Sequence, residues 1–159
     1  MLRRRWLLGI LAAAFALAPP FATAGAPQAQ KVAITGTEFR FTPNRITLRR
    51  GVRTQLTVRN AGKIPHEFML YTPPMAGMQM RENMEAYAQE NTYFQGIGPV
   101  AVTFTGRGSV EMMTLIRVEL KPGQSAVIEF TPRKAGTFEV GCHIQGHYEA
   151  EMKGSLVVR

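Results

Sequence analysis

The chain has 159 residues, a formal charge of +8 at pH 7, three histidines and a single cysteine. Its basic residues stand singly or in pairs, as in Arg49-Arg50 and Arg133-Lys134, without the long run that a nucleic-acid surface uses, which argues against nucleic acid as a partner. One thiol also excludes a disulfide framework and leaves Cys142 for chemistry, an intermolecular bridge or simple burial.

Residues 1–24 read as a secretory signal. Arg3 to Arg5 precede an apolar run from Trp6 to Leu17, and Ala22-Thr23-Ala24 supplies the small residues of a cleavage site. The run is shorter than the roughly 20 residues a bilayer span needs, and Pro19-Pro20 interrupt it. The expectation is therefore a mature periplasmic chain from Gly25 without stable membrane insertion; Trp6-Leu7-Leu8 after the arginines leaves the general and twin-arginine export routes both open. Residues 25–159 suit one domain with its own core.

From Lys31 onward short alternating runs are separated by Gly, Pro and Asn, the pattern of an all-β sandwich. Phe39 and Phe41, Ile46 and Leu48, Leu56 and Val58, and Ile116, Val118 and Leu120 each alternate with polar residues. Ala126, Ile128 and Phe130 follow the turn at Lys121-Pro122-Gly123-Gln124, Phe138 and Val140 follow Lys134-Ala135-Gly136, and a last run covers Ser155 to Val158. The pattern predicts about seven or eight strands. Residues 72–111 break it and read as an insertion between strands, with a short helix predicted near Glu82 to Glu90 from the spacing of Met84, Tyr87 and Ala88. Met75, Met78, Met80 and Met84 in this stretch have two readings: packing under a loop, or a thioether station for Cu(I).

The segment that carries chemistry runs from Gly141 to Gly154. Cys142, His147 and Met152 follow one another with four residues in each gap. Phe138, Val140 and Cys142 share strand parity, so the sulfur is expected on the core side, and a strand-loop-strand hairpin can gather thiol, imidazole and thioether at one end of a sandwich. A fourth group is available in His66, which shares parity with Phe68 and Leu70. Two imidazoles and a thiolate in a plane, with a weak axial thioether, form the donor set of blue-copper electron transfer.

The opening Phe39-Arg40-Phe41-Thr42-Pro43 and Ile46-Thr47-Leu48, the Asn60-Ala61-Gly62 with His66, and the Cys142-x4-His147-x4-Met152-x-Gly154 end resemble the cupredoxins, among them plastocyanin, azurin, auracyanin and periplasmic copper-tolerance proteins. The resemblance implies a Greek-key β-sandwich and one copper ion held by His66, Cys142, His147 and Met152. It also implies an insertion placed where azurin-like proteins carry a helical flap, and electron exchange through the His147 ring edge. The implied function is one-electron transfer without catalysis, with a cytochrome or a copper oxidase or reductase as redox partner.

Three positions depart from the familiar pattern. Glu67 stands where plastocyanin and azurin have a small polar residue beside the cysteine sulfur, and it is a candidate either to sit behind the ligands and tune the metal or to bind it through oxygen. Pro65 replaces the glycine whose carbonyl azurin offers as a weak axial contact. His143 is a spare imidazole expected by parity to point away from the metal, toward a second site or the surface. Glu67, His143 and the methionines keep open a second function, copper buffering or tolerance without an electron partner. A zinc site built on His143-x3-His147 is disfavoured by Gly146 and by Met152, and a Cys142-His147 hydrolase by the lack of an oxyanion loop. Nitrite reduction calls for histidines beyond the three present.

Overall fold

Alternation of apolar and polar residues becomes two facing sheets and one short helix in the computed structural model, which describes residues 28–75, 83–105 and 109–159. The elements in chain order are β1 (Gln30–Thr37), β2 (Arg40–Thr42), β3 (Arg45–Leu48), β4 (Thr54–Asn60), β5 (His66–Tyr71), α1 (Met84–Glu90), β6 (Val100–Phe104), β7 (Ser109–Met112), β8 (Arg117–Leu120), β9 (Ser125–Phe130), β10 (Gly136–Gly141) and β11 (Lys153–Val158). One sheet has the order β2-β1-β4-β9-β6-β7 and the other β3-β11-β10-β5-β8. The chain crosses repeatedly between them, which is the expected all-β sandwich of Greek-key type.

The inward residues are the ones the alternation marks. Leu56 and Val58 of β4 pair with Ile128 and Ala126 of β9, and Ile46 and Leu48 of β3 run parallel to Leu156 and Val158 of β11. All are at least 96% buried, and burying each of the larger ones is worth about 1.5–3 kcal/mol relative to exposure. Strand β5 is different, because every residue in it is buried. Its Phe68 and Leu70 enter the sandwich core, while Met69 and Tyr71 on the other face pack under α1 against Ala88, Met84 and Tyr87. The Asn83 side chain caps the helix by accepting from the Ala86 N–H at 3.0 Å.

Several expectations change. Eleven strands are present among the described residues instead of seven or eight, since the marked runs do not include β1, β6 and β7. Two of them lie in 72–111: β6 pairs with β9 and β7 with β6, so much of that stretch is part of the sheet and not only loop and helix. The helix is where it was expected, from Met84. Phe39 is a turn residue with φ 59° and 43% exposure, and Ile116, also 43% exposed, precedes β8, so neither continues the core alternation of its neighbours. The leader expected over 1–24 lies outside the described residues, as do Met78 and Met80. No helix among the described residues is long and apolar enough to cross a membrane.

Candidate metal centre

Three strands deliver the donors to one end of the sandwich. His66 opens β5, Cys142 directly follows β10, and His147 and Met152 sit in the loop between β10 and β11. The loop is closed by its own backbone. Cys142 N–H donates to the Met152 carbonyl at 3.1 Å, Met152 N–H to the His147 carbonyl at 3.0 Å, and His147 N–H to the Ile144 carbonyl at 2.9 Å. The four-residue gaps are therefore the lengths of turns that tie each candidate ligand to the next.

The chain before His66 is fixed by Asn60, which is 99% buried. Its side-chain amide donates to the carbonyls of Ile64 at 2.8 Å and Leu120 at 2.9 Å, and its oxygen accepts from Gly62 N–H at 2.8 Å. Gly62 has a steric reason: a Cβ there would lie 2.9 Å from His66 Nε2 and 2.8 Å from Glu38 Oε1.

The result is a convergent cluster. His66 Nδ1 lies 3.4 Å from His147 Nδ1, and Cys142 Sγ lies 3.3 Å from the same nitrogen. One ligand atom from each residue falls within 4.8 Å of the others, and all three residues are buried. Met152 has no exposed surface, and its methyl and the His66 ring both face Gly36, where a Cβ would meet them at 3.3 and 3.7 Å. Burial lowers the pKa of both imidazoles, and for His66 the neighbouring His147 adds to this, which favours the neutral form that binds a cation. Burial pushes the Cys142 thiol up, against N–H donors from Glu67 and Ile144. A bound cation reverses that balance by stabilising the thiolate. A soft thiolate, two imidazoles and a thioether in a dry pocket fit copper; the thioether in particular suits it better than zinc.

The pocket meets the surface at His147, which is 7% exposed and carries the ring of Phe39 edge-on at 5.3 Å. Phe39, not singled out for this role by its sequence pattern, is the apolar cover of that ring.

The remaining candidates separate from the cluster. His143 points away, as parity indicated: its Nε2 is 3.1 Å from the Tyr71 hydroxyl and its ring stacks on Tyr148 with centroids 4.7 Å apart. Tyr71 and Tyr148 both donate to Glu139 Oε1, at 2.5 and 2.7 Å, and burial raises both phenol pKa values. This Tyr71-Glu139-Tyr148 set escaped the sequence reading, although Glu139 and Tyr71 are cross-strand partners on the outer face of β10 and β5. The Glu67 carboxylate turns to the His143 N–H at 2.7 Å, while its own N–H donates to Cys142 Sγ at 3.4 Å, so the sulfur has a backbone donor even without a small polar side chain here. Met84 packs against Met69, Tyr71 and Ala88, and Met75 is 75% exposed.

Residues 7–95 match the cupredoxin-like domain family, a span that contains His66 but ends before Cys142. The chain is 36% identical over 124 residues to the copper-resistant cuproprotein CopI of Rubrivivax gelatinosus, covering 76% of this chain and spanning 61% of that relative's length. A second relative, the copper-resistant cuproprotein CopI of Pseudomonas aeruginosa, is 29% identical over 168 residues, with 96% of this chain and 93% of that protein covered. Among solved structures, reduced auracyanin from Roseiflexus castenholzii superposes with a TM-score of 0.56 at 17% identity, over 82% of this chain and 98% of that one.

Proposed function

Because the chain belongs to the cupredoxin-like family and is a copper protein of that kind, we propose that it is a periplasmic one-electron carrier, exported by residues 1–24, that holds one copper ion through His66, Cys142, His147 and Met152. The observation that carries this reading is that His147 Nδ1 lies 3.4 Å from His66 Nδ1 and 3.3 Å from Cys142 Sγ in a cluster of three buried residues. Copper, when bound, supplies a Cu(II)/Cu(I) couple. The protein supplies the rest: backbone hydrogen bonds hold the loop, Asn60 holds the approach to His66, and the core packs around Met152. A cage fixed in this way leaves little to rearrange when the charge changes. Phe39 and the His147 edge form the face through which a redox partner, of cytochrome or copper oxidase or reductase type, exchanges the electron. The role is non-catalytic: His143 is engaged by Tyr71 and Tyr148, which leaves the chain no further histidine for a second copper centre.

A second reading, copper tolerance without a dedicated electron partner, is favoured by one observation: both relatives above are described as copper-resistant cuproproteins. Cu(II) titration followed by visible and EPR spectroscopy tests the site. One equivalent and an intense thiolate charge-transfer band are expected, with Cys142→Ser losing the band and Met152→Leu keeping copper at a raised potential. A band that survives Cys142→Ser sinks the ligand assignment. Copper-sensitive growth of a deletion strain, rescued equally by wild type and by a Phe39→Asp variant defective in electron exchange, selects the second reading over the first.

A further inference from the structure

The backbone ladder between β5 and β10 pairs Glu139 with Tyr71, Val140 with Leu70 and Gly141 with Met69, and stops there. Continued in register, it would set His143 opposite Glu67. A side chain occupies that rung instead: the Glu67 carboxylate accepts the His143 N–H at 2.7 Å, while the Glu67 N–H reaches Cys142 Sγ at 3.4 Å. The carboxylate is 95% buried. Its one cation among the described residues is Arg117, with Nη1 at 3.7 Å from Oε2, and Arg117 is 45% exposed and bound more closely, at 2.7 Å, to Glu85 of α1. Glu67 is therefore a buried acid, one residue from His66 and one hydrogen bond from the Cys142-His143 backbone, whose neutralising partner is shared and partly in water.

An amide in this position would close the same rung, so hydrogen bonding alone does not require an acid. The geometry points to Glu67 as the residue that biases the bound copper toward Cu(II): its charge lies beside the pocket in a low-dielectric surround and stabilises the more positive oxidation state. Arg117 opposes it from the solvent side. This inference rests on the copper assignment above and extends it from which residues hold the ion to which oxidation state they favour.

The test compares Cu(II) and Cu(I) affinities and the midpoint potential in wild type, Glu67→Gln and Arg117→Gln. Glu67→Gln keeps an acceptor for the His143 N–H and removes the charge, so the ratio of Cu(I) to Cu(II) affinity is expected to rise about tenfold, with a higher potential. Arg117→Gln is expected to move both quantities in the opposite direction and by less, since the guanidinium is half exposed. Opposite signs are what a charge effect produces and a loosened loop does not. Amide exchange at His143 in the metal-free proteins, expected to stay within about threefold of wild type in both variants, reports whether the rung has been kept. An unchanged affinity ratio in Glu67→Gln, or shifts of one sign in the two variants, overturns the inference. A wild-type protein without a thiolate band would instead sink the copper assignment itself.

Discussion

At the scale of single residues, the centre depends on close approaches that leave no spare volume. Gly62 is the clearest: a methyl there would press on both His66 Nε2 and Glu38 Oε1 at distances that real Cβ atoms do not adopt. Glu38 is exposed and can move aside, but His66 is held in β5 and its displacement shifts a ligand. Gly62→Ala is expected to weaken Cu(II) binding by about tenfold or more while the fold persists, measured by competition with a chelator of known affinity. Affinity equal to wild type would show that the His66 ring can be pushed without consequence. The four candidate donors stood out in the sequence because the single cysteine is followed by a histidine and a methionine at five-residue steps, and His66 is the one histidine outside that segment. Phe39 was misplaced because alternation with Phe41 looks the same whether a residue lies in a strand or, as here, in a left-handed turn beside one.

At the scale of elements, the approach to β5 shows how a loop is made as firm as a strand. Asn60 satisfies the Ile64 carbonyl and the Gly62 N–H within the 60–66 segment and ties that segment to the buried Leu120 carbonyl of β8. Asn60→Ala leaves these groups without partners, and a loss of about 2–3 kcal/mol is expected in urea unfolding of the metal-free protein, together with weaker copper binding. A cost under about 0.5 kcal/mol would mean that water replaces the amide freely. Strands β3, β4 and β9 were legible because one face is buried and the other is not, so their residues alternate. Strand β5 carries apolar residues at successive positions because α1 covers its outer face, and β6 and β7 were hidden in a glycine-rich and methionine-rich neighbourhood where no period survives over four or five residues. The Glu139 cluster was illegible for another reason: its members come from residues 71, 139, 143 and 148, and only the pairing of β5 with β10 brings them together.

For the whole molecule, all three histidines have lowered pKa values, with burial the first cause in each. Neutral imidazole is thus favoured by the fold, whereas the unfolded chain takes up protons near 6.5. The stability they contribute is complete above pH 6.5 and is lost as the pH falls from there through the depressed folded values. Glu67, raised by burial, acts in the other direction, so the net fall measures three histidines against one carboxyl and the histidines are expected to prevail. Urea midpoints of the metal-free protein at pH 7.5 and 5.8 check this. A midpoint that holds or rises at the lower pH contradicts it, and copper-loaded protein should show a steeper fall because protons then compete with the ion.

The parts of the pocket are far apart in the order of synthesis. His66 precedes His147 by 81 residues, and Cys142, His147 and Met152 all follow β10, whose pairing with β5 sets the sulfur opposite the first imidazole. A growing chain that has made His66 offers one imidazole and no thiol. The donors are brought together only when β10 pairs with β5 and its loop returns into β11, so a variant lacking that hairpin is expected to bind copper far more weakly than the whole sandwich.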